Sequence, residues 1–357
     1  MKKKIIIFTN DYKNIINLRS NLINFLKNYY DVETLIIDKK KNNVNNIYSL
    51  NHNYKSFNIF NDLKLLLQIF KFLKKKSPHL VINFTLKPSI YGSLISYCLG
   101  IKSITVLTGL GSVYLNNFTK FLYIFVMKIV FYFNVKVIFQ NKSDHKLFFK
   151  DSFKSKIING SGFDKDQFRY SKDSNKYELK FLMVSRPIKD KGIFEYLEAS
   201  KLIKKKYGKK ITFYLMTSRD TSIFRYSQNS ILKYKNFVKI LSFSKKKYNR
   251  YLRLVNCFVL PSYREGFSKT LLEASSAGKL VLTTNVPGCR DIVIDKKTGI
   301  LFSKKNIKSL EEAIKYAISL SKNQRTRISL AASLRVNKYF SSQKINKEYL
   351  KVIRKLL

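Results

Sequence analysis

The chain has 357 residues, 45% of them apolar, and a formal charge of +47 from 69 Lys and Arg against 22 Asp and Glu. That length suits two domains of roughly 150–180 residues, each with its own core. No run reaches the roughly 18–20 apolar residues of a membrane-spanning helix, and Cys98, Cys257 and Cys289 are too few and too scattered for a disulfide framework or a zinc site.

The opening MKKKIIIF has an apolar part that stops at Thr9-Asn10-Asp11, too short for a secretory signal, so a cytoplasmic protein is expected. KIIIFTN (4–10) reads as a strand buried on both faces. Ile15, Leu18, Leu22, Phe25 and Leu26 then share one helical face. VETLIID is a second strand, Asp62 to Lys75 a long helix, and Pro78 separates that helix from the strand LVINF. Pro88 suits the first turn of another helix, SITVL (103–107) returns as a strand, and an apolar helix near 119–133 leads into VKVIFQN. Within that apolar stretch, Lys128, Asn134 and Lys136 argue against a membrane span.

At 157–169 the pattern breaks, and a domain boundary near residue 165 is expected. A second series of strands follows: KFLMVS (180–185), ITFYLM (211–216), NFVKIL (236–241), CFVL (257–260), LVLTT (280–284) and GILF (299–302). Helices near 306–320, 323–338 and 344–357 close the chain. Strands alternating with helical segments indicate α/β domains with parallel sheets.

The most informative stretch is PSYREGFSKTLLEASSAG at 261–278, where Glu265 and Glu273 bracket seven residues. Gly266 keeps the loop open, Ser268 is an N-cap, and Gly278 ends the helix with a left-handed residue. A helix N-terminus at the carboxyl edge of a strand is an anion site. The two carboxylates suit the hydroxyls of a sugar and of a ribose. In SRPIKDKGIFEYLEAS (185–200), Arg186 and Lys191 lie between a strand and a helix, where two cations can neutralise a diphosphate. Each alone also reads as a solvated loop; side by side they point to nucleotide-sugar chemistry. TVLTGLGSVY (105–114) is weaker, Gly109 and Gly111 permitting either a tight turn or close approach to a ligand. Lys87, after LVINF, falls on the same strand edge and suits an anionic acceptor, and Arg19 is a similar candidate. His52, His79 and His145 are expected to form no cluster with carboxylates, and no metal site is expected.

The basic clusters at 2–4, 39–41, 74–76, 204–206 and 245–247 have three readings. Nucleic-acid binding lacks any recognisable motif. An anionic membrane surface would be attracted by up to ~1 kcal/mol per Lys or Arg. A coding bias toward lysine is the third. A saccharide-cleaving carboxylate pair is not excluded.

The Glu–seven–Glu pattern, with GLGSVY and PGCRDIV, resembles retaining glycosyltransferase family 4 over nearly the whole chain. It looks most like bacterial N-acetylhexosaminyltransferases that extend undecaprenyl-diphosphate-linked sugars. The resemblance implies a GT-B fold: two Rossmann-like parallel-sheet domains facing a central cleft. Residues 1–165 would bind the acceptor, 166–340 the nucleotide sugar, and a helix at 341–357 would pack back on the N-terminal domain. It implies Glu265, Arg186 and Lys191 as catalytic residues. Gly266, Phe267, Ser268 and Glu273 would bind the donor, and Lys87, Thr108, Gly109 and Gly111 would line the acceptor side. Retention without metal or cofactor follows from the same resemblance. The expected partners are a UDP-sugar, a polyprenyl-diphosphate-linked saccharide and the anionic inner face of the plasma membrane, with no nucleic acid. Two departures stand out: Thr108 replaces a frequent histidine, and Ser242 a frequent glycine. The alternatives are a GT-B nucleotide-sugar epimerase or hydrolase, and a non-enzymatic basic nucleic-acid-binding protein.

Overall fold

Apolar runs without alternation become central parallel strands, because such strands are covered on both faces. A computed structural model describes residues 2–38, 46–53, 58–111, 117–149, 152–171, 178–218 and 227–357. The lysines at 39–41 and Ser112, Val113 and Tyr114 of the glycine loop lie outside the described residues. The chain divides into two compact units, one of Met1–Ser161 with Ser342–Leu357, the other of Gly162–Ser341.

The first unit is built on β1 (Lys4–Thr9), β2 (Asp31–Ile37), β3 (Ile47–Leu50), β4 (Leu80–Phe84), β5 (Lys102–Leu107), β6 (Lys136–Phe139) and β7 (Ser155–Ile157). They form one parallel sheet in the order β3-β2-β1-β4-β5-β6-β7. Ile5, Ile7, Ile82 and Phe84 face one way, onto Leu22, Leu26 and the closing helix Ser342–Leu356 through Ile345, Tyr349 and Ile353. Ile6, Phe8 and Val81 face the other way, onto Leu65, Ile69 and Leu73 of helix Ile59–Lys76. Strands β3 and β7 are not expected from their sequences; each is short, near a sheet edge and only partly buried.

The first helical segment corrects one expectation. A wide π-turn at Ile15–Arg19 shifts the register, so Arg19 is buried and Leu18 is only half-buried. The Arg19 guanidinium lies 3.9 Å from the Phe84 ring centroid, and burial pulls its pKa down to about 10. Arg19 is thus a core cation stacked on an aromatic ring and not a charge on the open strand edge.

The second unit holds β8 (Leu179–Val184), β9 (Ile211–Thr217), β10 (Val238–Ser242), β11 (Cys257–Leu260), β12 (Leu280–Thr284) and β13 (Ile300–Phe302), parallel in the order β10-β9-β8-β11-β12-β13. Phe181 and Met183 of β8 enter one core, Leu182 and Val184 the other. The two expected Rossmann-like parallel sheets are therefore both present. Cys257 is plain core, and none of Cys98, Cys257 and Cys289 forms a disulfide. Among the described residues, no helix is long and apolar enough to cross a membrane.

Each sheet reverses its direction of growth once, between β1 and β4 in the first and between β8 and β11 in the second. Ligands of open α/β sheets bind at that reversal, outside the carboxyl ends of the strands.

Candidate active site

In the second unit, the segments after β8 and β11 meet at this reversal and are tied together by three hydrogen bonds, one from Lys191 and two from Tyr263. Lys191 Nζ donates to Glu265 Oε1 at 2.7 Å, and Ser262 Oγ donates to the same oxygen at 2.7 Å. The Tyr263 amide donates to the Asp190 carbonyl at 2.8 Å, and the Tyr263 hydroxyl donates to Glu195 Oε1 at 2.5 Å. Gly192 sits so close to Pro261 that a Cβ would lie 2.1 Å from the Pro261 carbonyl oxygen. Gly192 also adopts φ +69, so glycine is required there twice over. The third loop of the edge, after β12, presses on Glu265 from behind. Gly288 has φ +79, and a Cβ there would lie 2.5 Å from the carbonyl oxygens of both Glu265 and Gly266. Cys289 beside it is inert: burial, with the Glu265 charge adding to it, pushes its thiol up to about 12.

Helix Lys269–Ser276 starts directly after the β11 loop. Ser268 caps it, accepting from the Leu271 amide at 3.4 Å, and the Phe267 ring packs against Phe340 at 5.0 Å. The side chains of Phe267 and Ser268 therefore serve the fold. Gly278 follows the helix at φ +77. Glu273 lies on the buried side of the helix. Tyr248 donates its hydroxyl to Glu273 Oε2 at 2.8 Å, and Lys269 Nζ lies 3.9 Å from Oε1. Burial raises the Glu273 pKa, while Lys269 and the Tyr248 hydrogen bond oppose that shift. Tyr248, on helix Lys245–Leu254, reaches Glu273 only through folding, since nothing in the local sequence ties the two.

Arg186 occupies the exposed part of the loop after β8. Thus Lys191 and Glu265 are in direct contact, Glu273 is buried on the helix that follows, and Arg186 is exposed. A cation, a helix N-terminus and two carboxylates at one strand edge can hold a phosphorylated, hydroxyl-rich ligand.

In the first unit the edge is arranged otherwise than expected. Lys87 is buried, and its Nζ donates to Asp62 Oδ1 at 2.6 Å. His52 Nε2 lies 3.2 Å from both Lys87 Nζ and Asp62 Oδ1, which corrects the expectation that no histidine joins a carboxylate. Tyr91 is drawn into the same cluster: burial, then the charge of Asp62, raises its hydroxyl pKa to about 12. Asp62 and His52 stand 25 and 35 residues before Lys87, so only folding reveals the cluster. Thr108, Gly109 and Gly111 follow β5, with Gly109 at φ +115, Gly111 at φ +58 and Leu110 buried between them. The two glycines let the chain tuck Leu110 into the core, whatever else the loop does. Among the described residues no group of three or more His, Cys, Asp or Glu is placed to hold a metal.

Comparison with known proteins fits this arrangement. Residues 164–335 match the family model "Glycosyl transferases group 1", and residues 6–141 match "Glycosyl transferase 4-like". The capsular polysaccharide biosynthesis glycosyltransferase CapM of Staphylococcus aureus is 29% identical over 315 residues, covering 81% of this chain and 80% of that protein. The N,N'-diacetylbacillosaminyl-diphospho-undecaprenol alpha-1,3-N-acetylgalactosaminyltransferase of Campylobacter jejuni is 27% identical over 327 residues, 84% of each chain. Sucrose-phosphate synthase from Thermosynechococcus elongatus superposes with a TM-score of 0.84 at 16% identity, over 99% of both chains. HepE of Anabaena, solved with UDP, gives a TM-score of 0.78 at 16% identity over 99% of this chain and 100% of that one. A glycosyltransferase model is thus matched on each unit, group 1 over residues 164–335 and the 4-like model over residues 6–141, on the two parallel-sheet domains of the GT-B fold.

Proposed function

We propose that the protein transfers an N-acetylhexosamine from a UDP-sugar to a saccharide carried on polyprenyl diphosphate, with retention at the anomeric carbon, in the assembly of a surface polysaccharide. The observation that carries this reading is the Lys191–Glu265 contact at the β8/β11 reversal, with Glu273 buried on the helix that follows. The names of the Staphylococcus aureus and Campylobacter jejuni relatives support a polysaccharide and lipid-linked acceptor, and the UDP complex of HepE supports the donor class.

On this reading Glu273 holds the ribose, and the backbone at Gly266, Phe267 and Ser268 faces the sugar and phosphate. Glu265 contacts the transferred sugar. Arg186 and Lys191 take the diphosphate. As the bond from the anomeric carbon to the phosphate oxygen breaks, negative charge grows on the diphosphate, and cations already in place stabilise it. The acceptor hydroxyl attacks from the same face and gives its proton to the departing phosphate oxygen. No covalent intermediate and no metal take part in the proposed step. Lys87, Thr108, Gly109 and Gly111 belong to the acceptor side, with Lys87 acting through its ion pair with Asp62. The lipid acceptor would keep the enzyme on the anionic cytoplasmic face of the membrane, where its lysine excess is favourable. Nucleic acid has no part in this reading.

Incubation with UDP-N-acetylgalactosamine or UDP-N-acetylglucosamine and a synthetic polyprenyl-diphosphate sugar tests it. An acceptor longer by one α-linked sugar is expected. Free sugar or an epimerised nucleotide sugar, with the acceptor unchanged, would replace transfer by hydrolysis or epimerisation.

A further inference from the structure

The outward faces of two helices in the first unit are apolar where a solvent-facing helix is ordinarily polar. Helix Ile59–Lys76 packs on the sheet through Leu65, Ile69 and Leu73, and helix Asn117–Tyr132 through Met127, Val130 and Phe131. Both cover the same side, since the strand residues beneath them (Phe8 and Val81, Leu107 and Phe139) all point away from the other core. On the opposite side of the first helix, Phe60 is 78% exposed, Leu63 53% and Leu67 61%. On the second, Phe121 is 71% exposed, Leu122 52%, Phe125 55% and Ile129 46%. Spacings of three and four residues align each set in one stripe. Tyr97, on the short helix Ser93–Cys98, is also exposed and reaches Tyr132, with ring centroids 6.3 Å apart.

The charge around this face is one-sided. Lys64, Lys71, Lys74 and Lys75 on the first helix and Lys128 on the second are exposed. The only acid in either helix is Asp62, which is held by Lys87. Aromatic and aliphatic side chains flanked by lysines, with almost no acid, match the boundary of an anionic bilayer, where rings enter the acyl edge and ammonium groups meet phosphates. We propose that this face docks the protein onto an anionic phospholipid bilayer, with Phe60, Leu67, Phe121 and Phe125 inserted among the headgroups. The proposal rests on the lipid-linked acceptor for its purpose, because a face that lies on the bilayer keeps the unit beside a diphosphate at the headgroup level.

Flotation of the full-length protein with vesicles of phosphatidylglycerol and phosphatidylcholine, against phosphatidylcholine alone, tests it. Binding to the anionic vesicles is expected, weakened but not abolished by salt, since apolar insertion is not screened. The double variants Phe121→Glu/Phe125→Glu and Phe60→Glu/Leu67→Glu should each bind roughly tenfold more weakly or worse. Leu334→Glu, at an exposed position of the second unit, should bind like the wild type. All variants should keep their thermal midpoint and UDP-sugar binding. Flotation unaffected by the double variants overturns the proposal. So does a wild-type dimer, seen by light scattering, that both double variants turn into monomers without any vesicle binding. If the wild type floats but binds no nucleotide sugar, the donor-site reading fails and the docking face stands.

Discussion

Lys191 Nζ donates to Glu265 Oε1 at 2.7 Å across the point where the second sheet reverses its strand order. The two residues are 74 positions apart in the chain, and each stands on a loop that leaves the carboxyl end of a central strand. The pair is partly exposed, so it stabilises the fold little and fixes the direction of both side chains.

Lys191→Ala should therefore lower stability by no more than ~1 kcal/mol. Removal of a group that stabilises developing charge should nevertheless reduce transfer by roughly 100- to 1,000-fold. Steady-state kinetics beside a thermal melt checks this, and wild-type turnover would remove Lys191 from the reaction.

Glu273 gives a pH signature. Its folded pKa lies above the ordinary 4.5, so above that pH the folded state holds more protons than the unfolded state. Stability contributed by the protonated form is present at lower pH and is lost as pH rises through the folded pKa. Glu273→Gln keeps an acceptor for Tyr248 and removes the titration. The variant should match or exceed the wild type in thermal midpoint at neutral pH, with a flatter dependence above pH 4.5, yet bind UDP more weakly. Identical pH profiles for the two proteins would contradict this.

Gly288→Ala places a methyl group 2.5 Å from two carbonyl oxygens of the Glu265 loop, at a φ of +79. The left-handed conformation alone costs ~1–2 kcal/mol, and the loop must also shift. Loss of kcat/KM should exceed what the fall in melting temperature accounts for. An active variant with unchanged kinetics would show that the loop after β12 does not position Glu265.

Asp62→Asn leaves the Lys87 ammonium with 3% side-chain exposure and without its carboxylate. Breaking a buried pair in this way should cost ~3 kcal/mol. The double variant Asp62→Leu/Lys87→Met should recover much of the loss. Thermal melts of the three proteins decide it; a single variant as stable as the wild type would mean that the pair contributes nothing.

Central strands were legible because β1, β4, β8 and β11 are covered on both faces and read as unbroken apolar runs. Ile47–Leu50 and Ser155–Ile157 were not, since a short, half-buried strand near a sheet edge has no pattern of its own. The Glu265–Glu273 spacing, the Ser268 cap and the Gly278 terminus are local and could be read directly. Tyr248, Tyr263 and Gly288 act through contacts that the chain makes only after folding. Lys87 shows the limit most clearly. Its place after β4 suggested an open edge, but Asp62, 25 residues earlier, folds over it.

Calorimetric titration of UDP and UDP-N-acetylgalactosamine into the wild-type protein and into Glu273→Ala addresses the donor site most directly. Saturable binding of both by the wild type, lost or strongly weakened in the variant, is the expected result. No binding of any nucleotide by the wild type, or equal affinity in the variant, would contradict a donor site at the β8/β11 reversal.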